Sequence, residues 1–262
     1  MARLCTLASS SSGNSTYIST SDGDILVDAG ISCKSLLTAI ESVGGDVSRI
    51  KAVAVTHSHS DHITGLRAFL KKTKIPVIAA TQTLEYLCEH EILTPEIKAF
   101  CAEQGDVVFG NISVKYFSTS HDSEGSGGYV ITLPDARRVA VCTDLGVMTD
   151  CVRQNLYGCG AVLIESNYDV EMLKRGPYPA NLKLRIMSEV GHLSNNACAV
   201  ELPKLLQNGT NRIILGHLSK QNNTPALAMS AATATLADIG AKQGDDYILK
   251  TAKPSIAEVT AF

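Results

Sequence analysis

Val55-Thr56-His57-Ser58-His59-Ser60-Asp61-His62 (VTHSHSDH) places three of the chain's 7 histidines and one carboxylate within six consecutive positions. Each imidazole needs partners for two ring nitrogens, so a buried histidine cluster is costly without hydrogen bonds or a metal to satisfy it. The apolar run before it, IKAVA, has the character of a buried strand, and the residues from Asp61 through LRAFLKK read as a helix. The cluster therefore occupies a strand-to-helix turn.

The same pattern recurs along the chain. Asp28 ends ILVD, His121 follows VKYFSTS, Asp144 follows VAVCT, and His217 follows IILG. With the histidine cluster, five strands end in a candidate metal ligand or a supporting carboxylate. Loops beyond one edge of a rigid sheet are where sites are built, because the scaffold fixes their positions.

Between these points, strands and helices interleave. LCTLA, TYIST and DILVDAG read as strands, with the loop SSSSGNS between the first two and a turn at Asp22-Gly23; a helix follows over Ser35–Val43. IPVIAA reads as a strand and TQTLEYLCEHEIL as a helix opened by a capping residue. The middle is mostly β (DVVFG, ISVKYFSTS, GGYVITL, RVAVCTD), followed by the strand AVLIES, helices near 180–190 and 196–207, the strand RIILG and a helix from Thr224-Pro225 to Ala237. Two β-rich halves, each with its own helices, predict an α/β protein with two sheets packed face to face and helices outside.

Composition bounds the rest. A chain of 262 residues, 45% hydrophobic, is long enough for a large core, and one domain over 1–262 is expected. The N-terminal segment has no signal-peptide core and no segment has the apolar length of a membrane span, which reads as a cytoplasmic protein without a membrane partner. The 8 cysteines are scattered without a CxxC pair and are expected to be reduced. A net charge of −3 makes no whole-chain case for nucleic-acid binding. One segment departs from that balance: Met172–Ser188 carries Lys174, Arg175, Lys183 and Arg185 with no acid among them, either a solvated face or a phosphate-contacting one.

Imidazole with carboxylate suits zinc, manganese or iron, and the lack of paired cysteines argues against a closed structural zinc site. His57, His59 and His121 are assigned to one divalent ion, Asp61, His62 and His217 to a second, and Asp144 to a bridge between them. Two such ions activate water and neutralise charge on an attacked phosphoryl or carbonyl group, so the expected reaction is hydrolysis, with Asp61 also positioning the nucleophile.

These residues resemble the metallo-β-lactamase superfamily, whose HxHxDH signature is matched in full by His57, His59, Asp61 and His62. His121, Asp144 and His217 match its other ligands, and Asp28 its supporting aspartate. The resemblance covers residues 1 to about 240 and implies an αββα four-layer sandwich with a dinuclear site, usually zinc, sometimes manganese or iron. LASSSSGNSTYI, SHDS, LIESNYD, YPANLKLRI, GHLSNNACA and LGHLSKQNN are similar to the YycJ/WalJ (VicX) group, relatives of ribonucleases Z and J. That similarity implies 5′-to-3′ exonuclease action on DNA, with backbone contacts expected from Lys174, Arg175, Lys183 and Arg185. Tyr168 departs from the histidine expected in an ESNHD pattern.

GHLS occurs at 191–194 and at 216–219. His217 follows an apolar strand and is the ligand, which leaves His192 to act as a general acid or to hydrogen-bond a loop. The SSSSGNS loop, with Ser12 and Asn14, either holds a phosphate or simply connects strands. Lys183 and Arg185 are candidates for phosphate contact. Asn167, like Glu165, is read as a packing residue or as a contact to substrate or ligands. Asp122 is expected to orient a ligand histidine through its second nitrogen. Two rival readings stand beside the nuclease: a small-molecule hydrolase acting on a thioester, lactone or cyclic phosphodiester, and a noncatalytic metal-binding regulator.

Overall fold

Continuous apolar runs form strands here because both faces of each sheet are covered, so neither alternate position must be polar. The computed structural model of the chain describes residues 2–262. The first half runs β1 (Arg3–Ala8), β2 (Ser15–Ser19), β3 (Asp24–Val27), α1 (Cys33–Ser42), β4 (Ile50–Ala54), α2 (Ser60–Ile63), α3 (Leu66–Thr73), β5 (Val77–Ala79), α4 (Thr81–Glu89) and β6 (Ala99–Cys101). The second runs β7 (Val107–Phe109), β8 (Ile112–Ser118), β9 (Gly127–Thr132), β10 (Arg138–Cys142), α5 (Asp150–Leu156), β11 (Ala161–Glu165), α6 (Val170–Arg175), α7 (Ala180–Ile186), α8 (Asn195–Ala199), α9 (Leu202–Gln207), β12 (Arg212–Gly216), α10 (Pro225–Asp238), β13 (Ile248–Thr251) and β14 (Glu258–Ala261).

Two seven-stranded sheets result, in the orders β14-β1-β2-β3-β4-β5-β6 and β13-β12-β11-β10-β9-β8-β7. Each is antiparallel over its hairpin-linked strands and parallel where helices connect neighbours, as at β3-β4-β5 and β10-β11-β12. Alternation along single strands divides the interior. Ile25 and Val27 face the second sheet while Leu26 packs under α1 and α3; Val139 and Val141 face the first sheet while Ala140 and Cys142 pack under the helices of the second half. Three apolar layers therefore separate four structural layers, the αββα arrangement. Tyr129 ties the sheets together: its buried hydroxyl donates to Val55 O at 2.8 Å, two residues before His57.

Several local boundaries differ from the sequence reading. The helix expected from Asp61 through Lys72 is two helices, α2 and α3, separated at Thr64-Gly65. Gly65 packs so closely on Ile31 O that an added Cβ would lie 2.0 Å away. The helix expected over 196–207 is split between α8 and α9 at Val200-Glu201, just ahead of Pro203. The residue before α4 is Ala80, which offers no side-chain cap; Thr81 hydrogen-bonds Glu103 instead. β6, α5, α6, β13 and β14 carried too short or too mixed a pattern to be read locally, and β14 gains its place by pairing with β1 from the far end of the chain. All eight cysteines are free, and among the described residues no helix is long and apolar enough to cross a membrane.

Candidate metal centre

The strand ends meet at one edge. Asp28, Asp144 and His217 each directly follow or lie just beyond a strand and adopt left-handed backbone, with φ of 62°, 60° and 53°. Non-glycine residues hold this conformation at a cost of about 1–3 kcal/mol, and three of them at one edge mark where the scaffold is constrained to aim side chains. The SSSSGNS loop folds in beside them. Asn14 N donates to Asp61 O at 2.7 Å, and Gly30 permits that approach, since a Cβ there would lie 1.7 Å from Asp61 O.

Donor atoms of His57, His59 and His121 lie within 4.8 Å of one another, as do those of Asp61, His62 and His217. Asp144 groups with His57 and His62 and also with Glu165, His192 and His217. It stands 3.2 Å from His62 Nε2 and 3.8 Å from His121 Nε2, between the two sets. Three atoms here, His57 Nε2, Asp144 Oδ2 and His217 Nε2, are buried without a hydrogen-bond partner among the described residues. Such an atom costs about 1–3 kcal/mol, so three in one cluster call for a shared partner, and imidazole nitrogens with carboxylate oxygens fit a divalent cation.

Electrostatics agree. Burial opposes the imidazolium form of His217, yet Asp144, Asp61 and Glu165 push it up to about 10; Asp144 and Asp28 likewise hold His62 well above its ordinary range against burial. Burial, with the neighbouring histidines, pulls His57 and His59 down. Asp61 and Asp144 stay ionised despite burial because His217 and His62 lie against them. The pocket favours positive charge, and a cation bound there would displace protons from these side chains.

Supporting partners fix the rings. Asp28 Oδ2 accepts from His62 Nδ1 at 2.7 Å while Asp28 also accepts from Thr56 N and Oγ1. Glu165 plays the same part in the other sheet: Oε1 accepts from His217 Nδ1 at 2.7 Å and His192 Nδ1 at 2.9 Å, and Oε2 accepts from Leu145 N and Leu193 N. Its place as a fully buried hub serving two histidines was not evident from the sequence, which read it as a packing residue or a contact to substrate or ligands.

The remaining candidates are distributed differently. His121 Nδ1 is taken by Gly191 O at 3.1 Å; Asp122 instead lies 3.5 Å from Nε2 and pairs with Arg185, so the second nitrogen of His121 is oriented by a carbonyl and not by Asp122. Asn14 is buried and its amide serves Ser10 O and Asp61 Oδ2. Asn167, also buried, donates to His217 O at 2.8 Å and so holds that strained residue. Ser12 is exposed and accepts from Lys220 at 3.0 Å, a cation that lies within LGHLSKQNN but was given no role from the sequence. Lys183 donates to Lys174 O at 2.8 Å. Tyr168 is buried against Leu173 and Ile186.

A family model described as Beta-lactamase superfamily domain matches residues 24–218. The chain is 35% identical over 252 residues to the exodeoxyribonuclease YycJ of Bacillus anthracis, covering 95% of each chain. It is 34% identical over 254 residues to the exodeoxyribonuclease WalJ of Streptococcus pneumoniae, covering 96% of this chain and 94% of that one. Among solved structures, the metallo-beta-lactamase fold protein YhfI of Bacillus subtilis superposes with a TM-score of 0.72 at 15% identity, over 99% of this chain and 100% of that one.

Proposed function

Because the chain belongs to the β-lactamase superfamily, we propose that it is a metal-dependent nuclease acting as an exodeoxyribonuclease, with two divalent ions, zinc or else manganese or iron. The observation that carries this reading is the convergence of His57 Nε2, Asp144 Oδ2 and His217 Nε2, buried and unpartnered, among four further histidine and aspartate side chains. His57, His59 and His121 would hold one ion, Asp61, His62 and His217 the other, and Asp144 both. The bound cations supply Lewis acidity and a nucleophile available at neutral pH.

The protein's own residues supply the rest. Glu165 fixes His192 through Nδ1, which leaves Nε2 without an intramolecular hydrogen bond among the described residues. Burial opposes the charge on His192, but Glu165 raises its proton affinity above that of an ordinary imidazole, which suits donation to a leaving oxygen. Lys183 and Arg185 contact backbone phosphates without reading bases. One observation favours the rival small-molecule hydrolase: both cations already have intramolecular partners. Reconstitution with manganese or zinc and incubation with end-labelled duplex DNA, RNA and a chromogenic thioester decides between them. Release of nucleotides from DNA ends is expected; preferential thioester turnover would reassign the substrate.

A further inference from the structure

Residues 177–191 lie against the metal centre, held by three tethers. His121 Nδ1 donates to Gly191 O, Arg185 pairs with Asp122, and the Ser120 hydroxyl donates to Glu189 O. One face of α7 packs Leu182 and Ile186 on Tyr168 and Leu173. On another, Leu184 is 67% exposed; Met187, the residue that caps α7, is 38% exposed and Val190, in the turn beyond the helix, 46%. None of these three side chains belongs to a core cluster, and apolar side chains left exposed together mark a contact surface.

Its surroundings say what it contacts. Between Met172 and Val190 stand Lys174, Arg175, Lys183 and Arg185 against a single acid, Glu189. Glu171, just before this stretch, pairs with Lys174 and Arg175, and Asp122 with Arg185. The end of a nucleic acid offers the matching pair of chemistries, flat apolar base faces beside phosphates. We propose that Leu184 and Met187 form a platform that packs on the bases at the end of the nucleic-acid substrate, while Lys183 and Arg185 hold the adjoining phosphates. This rests on the nuclease reading and adds how the terminal nucleotide is presented to the metal centre.

The test is Leu184→Ser combined with Met187→Ser in the full chain, assayed on duplex DNA and on bis(nitrophenyl) phosphate. Losing the apolar area that Leu184 and Met187 would bury against the bases predicts a loss of roughly 5- to 30-fold on DNA, with the small diester turned over as by the unmodified protein. A terminal 2-aminopurine in a phosphorothioate-protected duplex should change fluorescence on binding the unmodified protein and not the variant, and Leu184→Met with Met187→Leu should restore the response. Unchanged DNA turnover, equal losses on both substrates, or conversion of a dimer to a monomer would overturn the platform. Unmodified protein that cleaves the diester but neither binds nor cuts DNA would instead remove the nuclease reading.

Discussion

Glu165→Gln tests the centre with the smallest change in shape. The native carboxylate accepts four hydrogen bonds in a fully buried site: two from the rings of His217 and His192, at 2.7 and 2.9 Å, and two from backbone N–H groups, at 3.0 and 3.1 Å. An amide has one acceptor end. If its NH₂ faces Leu145 N and Leu193 N, two fixed donors oppose it, at about 1–3 kcal/mol for each group left unsatisfied. If it faces the histidines, they must accept at Nδ1, which moves the ring proton of His217 to Nε2, the atom that is buried and unpartnered. That tautomer cannot ligate. Losing such a supporting carboxylate lowers metal affinity by about 10- to 100-fold, or about 1.4–2.7 kcal/mol. Competition titration against a chelating dye reads the affinity, and thermal unfolding of the chelated protein separates a folding defect from a binding one. Unchanged affinity for both ions would refute the assignment of Glu165 as the residue that sets the His217 tautomer.

Three further outcomes are expected. His192→Ala should keep both metals yet lose about 10²–10⁴-fold in turnover of DNA, with partial recovery on a nitrophenyl diester whose leaving group needs no proton; equal losses on both would leave His192 a structural residue. For the chelated protein, His62 is raised well above its ordinary value and His217 is raised to about 10, so between about pH 6.5 and 10 the native state binds more protons than the unfolded chain. The stability these two histidines contribute is full below about pH 6.5 and declines as pH rises through that window, whereas added metal should stabilise more as pH rises; Tm measured from pH 6 to 9.5 with and without chelator checks both signs, and a rising Tm for the chelated protein counts against them. Replacing Lys183 and Arg185 together should flatten the salt dependence of DNA binding by roughly one unit per lost phosphate contact, and an unchanged slope in a filter-binding assay would show that they face away from the substrate path.

The residues that gather at the candidate metal centre were legible in the sequence because His57, His121, Asp144 and His217 follow strand-like runs whose length and character already announce a buried strand. A strand that must be covered on both faces delivers its terminal residue to the sheet edge, so His57, His121, Asp144 and His217 could be placed from local pattern alone. The HxHxDH spacing did the rest, since a strand-to-helix turn brings four side chains together within six residues. What the sequence by itself left open was every contact between loops distant along the chain. That Glu165 serves His192 and His217, that Gly191 and not Asp122 orients His121, that Asn14 steadies Asp61, and that Arg185 closes on Asp122 all join segments far apart along the chain. Such pairings depend on the order of strands within each sheet and on the left-handed turns at Asp28, Asp144 and His217. No local periodicity encodes them, because hydrogen bonds between distant loops are chosen by the geometry of the folded scaffold, after burial has fixed it.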